Sequence, residues 1–323
     1  MVVILTEQND VSTLEVVDYL RLYSIPYMII NESMKVKIHD IFIQNNQLSF
    51  TIDINERKIN SKDITSFWYR RGAFNWDENE FPLNGIKGNE VSELFSEFQQ
   101  VEYSTLKQFI ELMPGIKKIG LFEKREINKL EMLNAAIKVG LNVPNTSILN
   151  SKQKIIDSFH SKSIITKGIQ VTPIIFSKYG KIYGYTEKIE LNEIPDKFAF
   201  TLFQDEIEKR IEIRSFYLEN NVYSMAIFSQ NDNSTKVDFR KYNKEKPNRM
   251  VPFKLPAEIE SKLLKLSKKL SLNCGSADFI IDRNGDYYFL EINPIGQYQF
   301  VDYFCNYKIN RKIATHLSQY SEL

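Results

Sequence analysis

The sequence predicts an α/β (α+β) protein built from two or three packed domains. It opens on a βαβ pattern: Val2-Val3-Ile4-Leu5 reads as a buried strand, residues 12–23 as a helix, and 27–30 as a second strand. In the helix, Leu14, Val17 and Leu20 recur on one face. Strand-like and helix-like segments then alternate through the rest of the chain. At 323 residues the chain is also too long for one simple core.

Further strands are expected at 38–43, 48–54 and 65–69. A helical pattern between Asn89 and Ile110 is carried by Val91, Leu94, Phe95, Phe98, Val101, Leu106 and Phe109. Pro114-Gly115 breaks it, which sets a first boundary near 115–120. A helix over 124–139 should end at Gly140 as its C-cap. Short strands and one helix near 151–160 follow, with a soft boundary at Pro195. The last part should hold strands at 199–203, 211–219 and 222–230, a helix at 256–272, a hairpin at 278–292 and a helix over 299–318. The expected domains are therefore 1–118, 119–197 and 198–323.

Composition narrows the function classes. With 42 basic and 41 acidic residues, the chain has a net charge of +1 and offers nothing for nucleic acid or a membrane surface. Its two cysteines, Cys274 and Cys305, lack metal-ligand spacing, and a reducing, cytoplasmic setting is expected. No apolar run is long enough to span a bilayer, and the N-terminus lacks a signal-peptide pattern. His39, His160 and His316 have no acid or nucleophile at a telling spacing and are read as surface or packing residues.

The most informative segment is 276–293. Asn284-Gly285 is the signature of a two-residue type I′ turn. Counting outward from such a turn, Asp278 lies directly opposite Glu291, and Asn293 shares their face two residues further on. Two carboxylates and an amide oxygen thus come together among Phe279, Ile281, Phe289 and Leu290. Directly opposed like charges destabilise a hairpin by up to roughly 1 kcal/mol, and more when buried. A hard cation with oxygen ligands would offset that cost, and magnesium bridging nucleotide phosphates is its usual form. On this reasoning, removing one acid should leave the stability of the unliganded protein level or raise it. The alternative is a solvated hairpin whose charges face water, although both strands carry many apolar residues for an open surface.

An Asp on one strand with Glu-x-Asn at the end of the next resembles the hallmark of the ATP-grasp superfamily, here Asp278 with Glu291-Ile292-Asn293. The resemblance extends over residues 120–300. It implies an ATP-grasp fold preceded by a small α/β pre-ATP-grasp domain, with ATP and Mg2+ as cofactors. Lys129 on its helix and Lys167 in Ile164-Ile165-Thr166-Lys167 are similar to the two nucleotide lysines. Gln204, Asp205, Glu206 and Ile207 correspond to the segment that receives adenine. Glu212 corresponds to the ribose-binding acid, and Arg214 to the arginine facing the phosphates. The Gly-rich phosphate loop usual after the second lysine is missing, because Lys167-Gly168 runs into an apparent hairpin at 173–187.

The finer resemblance is to ATP-grasp maturases of ribosomal peptides, the microviridin-type and grasp-with-spasm ligases that make graspetides. It rests on Phe67-Trp68-Tyr69-Arg70-Arg71, Asp238-Phe239-Arg240, Pro247-Asn248-Arg249 and the run from Glu291 to Tyr298, with Cys305-Asn306-Tyr307 beyond. The resemblance implies that ATP phosphorylates Asp or Glu side chains of a precursor peptide, and that Thr, Ser or Lys of the same peptide then closes an ester or amide crosslink. Arg214, Arg240 and Arg249 would serve the phosphoryl end, and Arg70 and Arg71 would meet substrate carboxylates. The implied partner is a precursor with a leader and an acidic, Thr-rich core. The leader would dock around 168–190, and a homodimer is allowed. Two bland readings stay open: a core strand ending in a surface basic pair for residues 68–71, and an ion pair at a loop edge for 238–240. So do two other functions, a ligase adding free amino acids to a protein tail or small carboxylate, and a non-catalytic ATP-binding regulator.

Overall fold

The computed structural model describes residues 1–45, 47–76, 93–98, 116–159, 163–170, 174–177, 180–183, 186–230 and 248–318, with scattered positions between 100 and 108. Asp238-Phe239-Arg240, Pro114-Gly115, His160 and most of the expected 89–110 helix lie outside them. The chain divides into two compact units, 1–125 with 308–323, and 126–307.

The first unit contains β1 (Val2–Leu5), the helix Val11–Leu22, β2 (Tyr27–Ile30), β3 (Lys35–Gln44), β4 (Gln47–Ile54), β5 (Arg57–Asn60), β6 (Ser66–Tyr69), β7 (Asn75–Trp76) and β8 (Lys117–Ile119). Strands β2-β1-β6-β8 form a parallel sheet. Its central strands are buried along their whole length, as apolar runs without alternation require. A second sheet, β5-β4-β3-β7, shares a core with it through Val36, Phe50, Ile52, Phe67 and Trp76. In the first helix Val16, Val17 and Leu20 face inward, whereas Leu14, expected on that face, is half exposed. The C-terminal helix Ile309–Ser318 belongs to this unit and not to the third domain expected at 198–323. The single helix expected over 299–318 is two, Gln299–Cys305 and Ile309–Ser318. Asn306 (φ 52°) and Lys308 (φ 57°) take left-handed conformations between them and stop the first.

Asp10 organises one end of the parallel sheet. Its carboxylate caps the first helix through the backbone N–H of Thr13 and accepts the Ser12 hydroxyl. Arg70 and Arg71, which follow β6, bring Nε to 3.5 Å and 3.6 Å from Asp10 Oδ2, and Arg70 Nε also donates to Ser12. Arg70 is therefore buried and committed within its own unit, not presented to solvent. Burial alone would raise the Asp10 carboxyl, but the Ser12 hydrogen bond and the Arg70 and Arg71 charges outweigh it and hold the group below its ordinary value.

The second unit contains the helix Lys129–Lys138, β9 (Thr146–Ser151), the helix Lys152–Ser158, β10 (Ile164–Lys167), β11 (Ile174–Ser177), β12 (Gly180–Tyr183), β13 (Glu187–Ile189), β14 (Lys197–Asp205), β15 (Lys209–Leu218), β16 (Asn221–Phe228), β17 (Arg249–Phe253), the helix Ala257–Lys269, β18 (Cys274–Asp282), β19 (Tyr287–Asn293) and the helix Gln299–Cys305. Strands β13-β10-β14-β9 make one antiparallel sheet, packed on the helix Lys152–Ser158 through Ile155, Ile164 and Phe203. Because β14 pairs with β9 from Lys197 and with β10 up to Asp205, the change from one sheet to the next falls at residues 206–208, about ten residues beyond the boundary expected at Pro195. Strands β11 and β12 form the separate hairpin expected within 173–187. Strands β17-β16-β15-β18-β19 form a five-stranded antiparallel sheet. One of its faces buries Ile213, Ala226, Ala277, Phe279, Phe289 and Ile292 against the helices Lys129–Lys138 and Ala257–Lys269.

Asp10→Asn should destabilise the first unit at neutral pH by about 3 kcal/mol, because it removes a carboxylate charge paired with a buried guanidinium. A depressed folded-state value means that this contribution is present above roughly pH 4 and lost as pH falls through the folded value. Thermal unfolding of wild type and variant should therefore converge toward acid pH. A constant difference down to roughly pH 2 would show that Asp10 does not titrate against these arginines.

Candidate functional site

The outer face of the five-stranded sheet carries the charged side chains. Register sets Glu212 and Arg214 of β15 on that face, with Arg214 opposite Asp278 of β18, Asp278 opposite Glu291 of β19, and Ser276 opposite Asn293. The hairpin thus brings together the residues expected from its Asn-Gly turn, by a different route. The connection is one residue longer than a two-residue turn. The N–H of Asp282 donates to the carbonyl of Asp286, the Asp282 side chain accepts the N–H groups of Asn284 and Asp286, and Gly285 takes φ 94°. Ile281 then pairs with Tyr287, one residue off the expected register. A β-bulge between the Asp278 and Phe279 pairings absorbs Leu290 and restores Asp278 to Glu291.

The opposed carboxylates do not face each other bare. Arg214 Nη1 lies 3.2 Å from both oxygens of Asp278, and Lys129 Nζ lies 3.8 Å from Glu291 Oε2. Protein cations therefore supply much of the offset that the sequence argument assigned to a metal. Lys129 is the second residue of interest on its helix end: Asn128 caps the helix, accepting the N–H groups of Leu130 and Glu131. Its ammonium also donates to the carbonyl of Gly168 (3.1 Å), just after Lys167. The Gln170 amide brackets the same turn, accepting the Lys129 N–H and donating to the Ile127 carbonyl. Lys129 therefore ties the end of β10 to the acid row on β18 and β19. Gln170 stands in the segment where a Gly-rich loop was missed, and nothing in the sequence flagged it.

Lys167 and Gln204 lie on one face of the other sheet, opposite the face that packs on Lys152–Ser158, since Lys167 pairs with Leu202 and Ile165 with Gln204. Gln204 is buried and donates to Thr146, while its Oε1 is buried without a partner. Asp205 accepts from Asn145 through Oδ2, and its Oδ1 is likewise buried and unmatched. Gln204 and Asp205 are consecutive in β14 and point to opposite faces, so of these two acceptors Gln204 Oε1 is the one on the Lys167 face, where it suits a ligand that donates a hydrogen bond, as an exocyclic amine does. Glu206 is held by Ser163 and Lys188, and Ile207 follows it at the crossing to β15.

Asn293 is held through both its side chain and its backbone. Its Oδ1 accepts the N–H of Ile295, and its backbone carbonyl accepts the N–H of Gly296. Gly296 takes φ 63°, and a Cβ there would meet Phe216 at 3.1 Å and Gly275 Cα at 3.3 Å. Only glycine allows this turn to sit so close to β18.

Other expected residues are placed differently. Arg249 pairs with Phe228 and sits on the opposite face of the sheet from Arg214, its guanidinium 5.6 Å from the Phe228 ring. Arg70 and Arg71 turn to Asp10 in the first unit, and Arg71 also approaches Glu7 at 3.9 Å. Arg240 lies outside the described residues.

Among the described residues no three His, Cys, Asp or Glu side chains cluster as a metal site. Asp278, Glu291 and Asn293 offer two carboxylates and one amide oxygen on a shared face. That donor set fits a hard cation that takes its remaining ligands from water and phosphate, as magnesium does.

No protein-family model matches the sequence, and no curated protein matches it. Solved structures do. A RiPP-associated ATP-grasp ligase of Chryseobacterium gregarium, determined with ADP and a leader and core peptide, superposes with a TM-score of 0.78 at 23% identity, over 99% of this chain and 97% of that one. The macrocyclase MdnC of Microcystis aeruginosa, bound to its precursor peptide MdnA, gives 0.72 at 22% identity, over 98% and 99%. The ATP-grasp ligase PsnB, with a phosphomimetic minimal precursor, Mg and ADP, gives 0.68 at 16% identity, over 98% and 97%. The chain has the ATP-grasp fold along its whole length.

The ion pairs reverse one expectation about stability. Asp278→Asn leaves the Arg214 guanidinium, only 11% exposed, without its counter-charge. It should lower the stability of the unliganded protein by about 1–2 kcal/mol, where the sequence argument expected no loss. Glu291→Gln, at a longer and more open contact, should cost less than about 0.5 kcal/mol. Urea titrations measure both, and an Asp278→Asn midpoint at or above wild type would show repulsion to dominate after all.

Proposed function

We propose that this chain, whose fold is that of ATP-grasp ligases, is an ATP-dependent ligase that crosslinks side chains of a ribosomally made precursor peptide. The observation that carries the reading is the constellation around Lys129: its ammonium lies 3.1 Å from the Gly168 carbonyl and 3.8 Å from Glu291, beside the Arg214–Asp278 pair. Cations and acids alternate there, as a site for a metal-bound polyphosphate requires. The solved neighbours support the peptide substrate, since each was captured with a precursor or with leader and core peptide, two of them with ADP and one of these also with Mg.

In this reading a substrate Asp or Glu carboxylate oxygen attacks the γ-phosphorus of ATP and ADP leaves, forming an acyl phosphate. A Thr or Ser hydroxyl or a Lys amine of the same peptide then attacks the acyl carbon. Phosphate departs, and the nucleophile's proton passes to phosphate or solvent. Lys129 and Lys167 hold phosphate oxygens, Gln204 to Ile207 receive adenine, and Glu212 receives ribose. Arg214 meets the phosphoryl group by exchanging part of its pairing with Asp278 for the charge that develops there. Asp278, Glu291 and Asn293 would hold Mg2+, which neutralises phosphate charge when bound. Arg249, on the other face, is given no role at this end. The leader is proposed to dock on the β11–β12 hairpin, which follows directly from the Gly168–Gln170 segment touching Lys129.

Incubation with ATP, Mg2+ and an acidic, Thr-rich precursor should give peptide lighter by one water per crosslink, with matching ADP, read by mass spectrometry. Lys129→Ala and Lys167→Ala should each weaken ADP binding by about 1.5–3 kcal/mol, or roughly 10- to 150-fold. ADP formation without any peptide crosslink, and with free amino acids instead consumed, would replace this function by the free-amino-acid ligase.

A further inference from the structure

The segment after β10 is tied to the start of the helix Lys129–Lys138 by three hydrogen bonds, and two of them come from one side chain. Gln170 Oε1 accepts the N–H of Lys129 at 3.1 Å, and Gln170 Nε2 donates to the carbonyl of Ile127 at 2.9 Å. Asn128 lies between those two residues and itself caps the N–H groups of Leu130 and Glu131. The Gln170 amide therefore spans the helix cap from one side to the other. The third bond runs from the Lys129 ammonium to the Gly168 carbonyl at 3.1 Å.

Gln170 is exposed, so water alone could satisfy its amide, and fixing such a flexible side chain costs rotamer entropy. Two exposed hydrogen bonds do little more than offset that cost, which leaves geometry as the main product of the bridge. What the bridge fixes is the backbone of Lys129, whose side chain is only 12% exposed. An ammonium on a four-carbon stem turns easily, so the bond to Gly168 is the one that gives way when Lys129 reaches for another anion. The two bonds made by Gln170 engage backbone groups alone and do not depend on where the ammonium points. They also hold the end of β10, since Gly168 directly follows Lys167, the last residue of that strand.

We propose that Gln170 is a positioning residue for nucleotide binding: its bridge across the Asn128 cap keeps Lys129 in place while the ammonium exchanges Gly168 for a phosphate oxygen. The inference rests on the ATP-binding reading above and adds a residue which that reading does not use. In a segment without a Gly-rich loop, one side-chain amide ties the strand end that carries Lys167 to the helix start that carries Lys129.

A double-mutant cycle read by calorimetric titration of the full chain with ADP and Mg2+ tests this, using wild type, Gln170→Met, Lys129→Ala and the double variant. Gln170→Met keeps the length of the side chain and removes both hydrogen bonds. It should weaken ADP binding by about 3- to 10-fold in the wild-type background. In the Lys129→Ala background the same change should cost less than about 2-fold, because there is no ammonium left to position. Gln170→Asn keeps the amide but is one methylene short of the bridge, and should weaken ADP binding as Gln170→Met does. Thermal melting of the unliganded variants shows that they are folded. Wild-type ADP affinity in Gln170→Met or Gln170→Asn overturns the inference, and so does an equal loss in both backgrounds, which a merely structural role would give. If Lys129→Ala binds ADP as wild type does, Lys129 is not a nucleotide ligand and the inference falls while the ATP site stands. If wild type itself does not bind ADP, the ATP-binding reading is wrong.

Discussion

Two carboxylates set side by side across an antiparallel pair repel, and the architecture of the second unit is arranged around that constraint. Asp278 and Glu291 meet because a bulge at Leu290 corrects the register left by a three-residue connection. They are tolerated because Arg214 comes from the neighbouring strand and Lys129 from a capped helix end. Each cation is in turn placed by something else. Arg214 is fixed by the pairing of β15 with β18, and Lys129 by the Gln170 bracket and the Gly168 carbonyl. A polyphosphate with its metal would enter a site whose acids already have cation partners, so binding would exchange some of those partners.

The same sheet anchors the acid row to the core. Its inner face is continuous with a core of Phe279, Phe289, Ile292, Leu263 and Leu266, closely packed on two helices. Polar groups on the outer face therefore ride on strands that cannot slip without moving that core. Fine placement is left to local devices: the bulges at Arg210 and Leu290, and the turn from Asn293 to Gly296 seated on Gly275. Bulges and glycine contacts re-aim individual side chains at little cost to the ladder around them.

Legibility in the sequence differed from residue to residue for physical reasons. Asp278, Glu291 and Asn293 were readable because strand alternation and a turn signal act over a few residues, and an error of one residue at the turn was cancelled by a bulge that no pattern announces. Arg70 was not readable in the same way. A basic pair after an apolar strand looks alike whether it meets solvent or a buried acid, and Asp10 is sixty residues away in the chain. Arg249 was misplaced for a simpler reason. A residue at a strand's end has its face set by pairing with a distant partner, here Phe228. The break at Asn306–Lys308 was hidden because Asn and Lys are both compatible with a continuing helix, and only the fold imposes the left-handed backbone there.

By itself, then, the sequence determined the alternation of strands and helices and the hairpin with its acid row. These follow from periodicities of two and 3.6 residues and from turn chemistry, which are local. The tertiary structure alone decided which cation meets which acid, that Lys129 joins two sheets, that Gln170 and Gly168 close around it, and that Lys209 and Ser229 converge on Glu212. Each of those contacts depends on the register between strands or on the docking of segments from separate elements. Both are fixed by how apolar faces bury one another and not by any short stretch of residues.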